Sequence, residues 1–82
     1  MTEALVALAP KIWINGHVAL QAWIADAARG EAAVYLTEFA GGHRNQPSLV
    51  KNIARRAVEA GQIVTTQRRR PDGRFDYIAV RL

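Results

Sequence analysis

The residues in this 82-residue chain with the clearest chemical potential are its arginines. Arg68, Arg69 and Arg70 run straight into Pro71-Asp72-Gly73, and Arg74 follows. Guanidinium groups gathered this closely suit phosphate oxygens, which they can grip in pairs of hydrogen bonds. A second set lies upstream, where Ser48, Lys51, Asn52, Arg55 and Arg56 fall at helical spacing, with Arg44 just ahead of them. Arginine and lysine reach phosphates and guanine, and asparagine can read adenine by two hydrogen bonds, so such a face suits a DNA groove. The plain alternatives are a solvated hairpin tip and an ordinary polar helix face.

Catalytic chemistry is poorly served. His17 and His43 lie far apart with no carboxylate or cysteine at ligand spacing, and the chain has no cysteine at all. The seven carboxylates are scattered, and Gly41-Gly42 lacks the Lys and Ser/Thr that complete a phosphate loop. The expectation is a protein that is not an enzyme and uses neither metal nor cofactor. Trp13 and Trp23 stand in apolar settings, where an anchoring role in a core or interface outweighs base stacking.

Charge is unevenly placed. Residues 1–42 hold two cations against four acids, whereas residues 43–82 hold nine cations against three. A scaffold half and a half that meets a polyanion is the functional reading of that asymmetry. The length allows one small domain with one modest core. Without cysteine that domain depends on packing and on self-association, and reducing cytosol is its expected compartment. No stretch approaches the roughly 20 apolar residues of a membrane span.

Period and punctuation give the elements. Asn15 is placed to cap a helix through Arg29, with Leu20, Trp23, Ile24 and Ala27 on one stripe and Gly30 closing it in the left-handed conformation. Residues 31–36, EAAVYL, read as a short strand. TEFAGG, residues 37–42, leaves room for one cramped helical turn capped by Thr37 and anchored by Phe39. A stronger helix follows over residues 47–60, with Pro47 in its first turn and Gly61 past its end. Leu49, Val50, Ile53, Ala54, Ala57 and Val58 make its apolar stripe.

QIVTTQRRR and RFDYIAVRL then form a hairpin around Pro71-Asp72-Gly73, with Gly73 supplying a positive φ. A three-residue loop sets Arg70 opposite Arg74, Arg68 opposite Asp76, Thr66 opposite Ile78 and Val64 opposite Val80. Like charges directly across a pair repel, so Arg70 facing Arg74 is a penalty that a phosphate between them would remove.

Helix, short strand, cramped turn, basic amphipathic helix and C-terminal hairpin, in that order, resemble the winged helix-turn-helix family over residues 15–82. The segment VEAGQIVTTQRRRPDGRFDYIAVRL carries the most specific part of the likeness. The resemblance implies a small α+β fold, a recognition helix over residues 47–60, a wing over residues 68–74, and a sheet of residues 31–36 with the two hairpin strands. TEFAGG is shorter than the positioning helix of that family. So short a form points to a phage or mobile-element protein. The implied function is double-stranded DNA binding by a regulator or architectural protein, through Arg44, Ser48, Lys51, Asn52, Arg55, Arg56, Arg68, Arg69, Arg70 and Arg74. The alternative is a protein-interaction module of the same fold that binds no DNA. Residues 1–14, with Leu5, Val6, Leu8, Ile12, Trp13 and Ile14, read as an apolar arm for a homodimer or another protein partner.

Overall fold

The computed structural model describes residues 10–39 and 48–82. Among them the elements run β1 (Ile12–Trp13), α1 (His17–Asp26), β2 (Ala32–Phe39), α2 (Leu49–Glu59), β3 (Ile63–Arg69) and β4 (Arg74–Arg81). The strands build one mixed sheet in the order β1-β2-β4-β3, with β1 parallel to β2 and the other pairs antiparallel. The α+β class read from the sequence therefore holds. A strand joins the sheet from the expected arm, because Ile12 and Trp13 pair with Ala33 and Val34.

The hairpin has the register that its loop length dictates. Arg68 pairs with Asp76, Thr66 with Ile78 and Val64 with Val80, and Gly73 takes φ +88°. Arg70 donates its N–H to the Arg74 carbonyl at 2.8 Å, which closes the ladder at the turn.

Two expectations are corrected. Residues 37–39 do not form a helical turn; β2 runs on through them, pairing Thr37 with Asp76 and Glu38 with Phe75. The cause is long-range pairing, which supplies more backbone partners than a single isolated turn can. Residues 40–47, including Gly41, Gly42, His43, Arg44 and Pro47, lie outside the described residues. The first helix is also shorter than residues 15–29: it starts at His17 after Gly16 and stops at Asp26, where Ala27 turns extended at ψ 142°. Gly30 does take φ +90°, but in the turn into β2, where its N–H reaches the Arg81 carbonyl at 2.8 Å. The end of the helix is taken up by side chains instead, because Arg81 donates to the Ile24 carbonyl and the Glu31 carboxylate accepts the Ala28 N–H.

The second helix begins where its chemistry says it should. Ser48 is extended, and its hydroxyl accepts the Lys51 N–H at 3.2 Å. Ala54 and Ala57 are buried, with Val50 and Ile53 packed against the core, but Leu49 and Val58 stay exposed, so the apolar stripe is narrower than its sequence suggests. Both helices pack on one sheet face around Leu20, Ile24, Tyr35, Ile63 and Ala79. Burying a side chain such as Leu20 contributes about 1.5–3 kcal/mol. Among the described residues no helix is long and apolar enough to cross a membrane.

Candidate nucleic-acid interface

Strand parity divides the arginines of the hairpin between the two sheet faces. Arg69 alternates with Arg68 and Arg70, so it shares the helix-bearing face with Ile63 and Tyr77. Arg68 and Arg70 share the opposite face with Asp76, Ile78 and Val80.

On that opposite face the two arginines have a partner within the chain. Asp76 is fully buried, and its carboxylate accepts from Arg68 at 2.8 Å and from the Thr37 hydroxyl at 2.8 Å, while Arg70 lies 3.5 Å away. Burial alone would raise this carboxyl, but the hydrogen bonds from Arg68 and Thr37 and the charges of Arg70 and Arg68 outweigh it and hold it below the usual aspartate range. Arg74 pairs with Asp72 at 3.1 Å, and the Asp72 carboxylate also accepts the Arg74 backbone N–H at 3.0 Å. That backbone bond is the main reason the Asp72 carboxyl is lowered. Two aspartates thus relieve the Arg70–Arg74 repulsion that a phosphate would otherwise be needed to remove.

The helix-bearing face is looser. Lys51 reaches Glu38 at 3.0 Å and lies 5.8 Å from the centre of the Tyr77 ring. Arg55 pairs with Glu59 one turn on at 3.2 Å, and both side chains are more than half exposed. Exposed pairs of this kind are worth about 0–1 kcal/mol, so a polyanion can displace the acid at little cost. The side chains of Asn52, Arg56 and Arg69 are exposed and make no ion pair or hydrogen bond among the described residues. Ser48 spends its hydroxyl on the helix cap.

Relative placement follows from these contacts. Lys51 meets Glu38, and Glu38 pairs with Phe75, which also pairs with Arg69 across the hairpin. The amino-terminal turns of α2 and the hairpin tip therefore occupy the same end of the molecule. Of the sequence-read set, Lys51 and Arg69 lie at that end, Asn52 follows Lys51 on α2, Arg55 and Arg56 sit one turn further along α2, Arg68 and Arg70 are drawn to Asp76, and Arg44 lies outside the described residues.

Two tyrosines that sequence reading passed over as site residues complete the picture. Tyr35 and Tyr77 sit with ring centres 6.2 Å apart, and burial raises both hydroxyls above the usual tyrosine value. They line a groove of ≈ 400 Å³ together with Lys51, Ala54, Arg55 and Val58. Trp13 lies under Arg70, 5.9 Å from ring centre to guanidinium. Only the Arg68–Asp76 pairing was legible in advance, from the hairpin register. Comparison with protein-family models, with curated proteins and with solved structures finds no match.

Proposed function

We propose that this chain is a small winged-helix protein that binds double-stranded DNA, with α2 toward a groove and the hairpin tip on an adjacent phosphate. The observation that carries the reading is the shared location of the α2 amino-terminal turns and the arginine-bearing tip. Strand order supports it too, since the last strand lies between β2 and β3 as a wing requires. In this reading Arg56 and Arg69 take phosphates, Asn52 and Arg55 face base edges, and Lys51 exchanges Glu38 for the backbone of the duplex. Arg68 and Arg70 act from behind, by holding the hairpin to Asp76. No part of this activity is catalytic.

Titration of a fluorescent duplex of random sequence at several salt concentrations tests the reading. The slope of log K against log salt should shrink by about 0.9 for each phosphate no longer neutralised, so Arg56→Ala and Arg69→Ala each lower it by about one. Asn52→Ala should change preference among sequences, since a bidentate base contact discriminates by about 1–3 kcal/mol. Failure of the parent protein to bind any duplex at low salt would reject the proposal.

A further inference from the structure

The sheet ends on β3, and among the described residues no strand pairs with its outer edge. All of β3 beyond Ile63 is exposed. The hydrogen bonds fix which backbone groups look outward. Leu82 donates its N–H to the Gln62 carbonyl at 2.9 Å and Arg70 donates to Arg74 at 2.8 Å, so the even-numbered positions exchange bonds with β4. Antiparallel alternation then turns the N–H and C=O groups of Ile63, Thr65, Gln67 and Arg69 to the open edge.

Beside that edge, between β3 and α2, lies the ≈ 400 Å³ groove. Thr65 forms its near wall, Tyr35, Tyr77 and Ala54 its interior, and Val58 with the cations Lys51 and Arg55 its far side. Both cations are held in exposed pairs by acids at its margin, Lys51 by Glu38 at 3.0 Å and Arg55 by Glu59 at 3.2 Å. The groove is therefore apolar inside, with two cations at one side whose exposed acid partners a ligand carboxylate can replace, next to a row of unspent backbone donors and acceptors.

We propose that this edge and groove capture an extended acidic peptide segment as a fifth strand. Its main chain pairs with the odd-numbered positions of β3, and alternate side chains enter the groove, apolar ones over Ala54 and Val58 and carboxylates toward Lys51 and Arg55. A second copy of this chain fits less well. Its β3, IVTTQRR, carries no carboxylate and would bring further arginine toward a groove already lined by two cations. The exposed Arg69 likewise disfavours a basic strand at the edge, which favours acid. The site shares Lys51, Arg55 and Arg69 with the proposed duplex contacts, so peptide and duplex compete, but the β3 backbone pairing is one that a phosphate contact does not need.

The test is a titration of the full chain with a capped heptapeptide of alternating glutamate and valine, followed by backbone amide NMR shifts and by calorimetry. Shifts should concentrate on Ile63, Thr65, Gln67, Arg69 and α2, and a lysine-for-glutamate peptide should bind at least about tenfold more weakly. Thr65→Pro removes an N–H that makes no bond within the sheet, a change edge strands tolerate, along with the hydroxyl that bonds Tyr35, and should weaken binding about tenfold in a chain that stays folded. Peptides N-methylated on one alternate set of residues should lose binding, and those methylated on the other set should keep it. This last comparison leaves the protein untouched and so holds even if the proline variant fails to fold. Equal binding by the two methylated peptides, or full binding by folded Thr65→Pro, would mean plain attraction of a polyanion and overturns the proposal. A dimer of the parent that Thr65→Pro dissociates also overturns it, by giving the edge to a second copy.

Discussion

Asp76 is the residue on which the hairpin turns. A fully buried carboxylate is costly unless it is paired and hydrogen-bonded, and here Arg68, Arg70 and Thr37 supply both. Replacing Asp76 by Asn keeps the shape but leaves two guanidinium groups without their anion. Because Arg68 is partly solvated, the expected loss is about 1–3 kcal/mol, read as a lower midpoint in urea unfolding. The acid side of the stability profile provides a second check. The carboxyl is lowered in the folded state, so the stability it contributes is complete above its unfolded value of about 3.9 and is lost as pH falls through the lower folded value. The parent should therefore lose more stability than Asp76→Asn as pH drops below about 4. Parallel profiles for the two proteins would show that the pairing does not stabilise the fold.

At the scale of elements, one inserted residue organises the sheet. The register of β2 against β4 shifts between Val34 and Leu36, leaving Tyr35 as the extra residue of a bulge. Beyond it Thr37 lies opposite Asp76, and Glu38 turns to the helix face, where it meets Lys51. A second organiser is Arg81. Its Nε donates to the Ile24 carbonyl at 2.8 Å and its guanidinium also donates to the Gln62 carbonyl at 2.7 Å, so one side chain near the end of β4 ties down the last turn of α1 and the approach to β3. A cation at a helix carboxyl terminus is favourable both as a donor and against the helix dipole. Arg81→Met preserves the apolar stem while removing those donors, and should cost about 1–2 kcal/mol in thermal or urea unfolding. A variant as stable as the parent would show that water replaces the arginine at no cost.

For the whole molecule, the excess positive charge of the second half is sorted by depth and face rather than spread evenly. Arg68 and Arg70 are tied to a buried acid, Arg81 to backbone, and Arg56 and Arg69 remain for a partner. At the other sheet edge two neighbouring large apolar residues are open to solvent, Ile12 at 38% and Trp13 at 56%. We expect self-association to use that edge, since aromatic side chains open to solvent are common anchors between copies. Trp13→Ser should then shift the chain toward monomer in sedimentation equilibrium, while Thr65→Pro leaves the oligomeric state alone. A parent chain that stays monomeric at high concentration rejects this expectation.

Local rules were enough to read some of this from the sequence. The hairpin register followed from three loop residues and a positive-φ glycine, and α2 followed from its periodic apolar residues and the signals at its ends. The Arg68–Asp76 contact followed from the register alone, because directly opposed residues on a twisted ladder must meet. Tertiary structure decided what depends on distant partners. Residues 37–39 became strand because β4 offered them a ladder, α1 ended early because Arg81 and Glu31 took over its last backbone groups, and Tyr35 bulged to reconcile two stretches of pairing. The same limit applies to the arginines: the hairpin alone places Arg68 opposite Asp76, but that Asp76 is buried and bonded by Thr37 depends on β2, whose register shifts at the bulge. That burial is a property of the assembled sheet, so only the fold could separate structural cations from free ones.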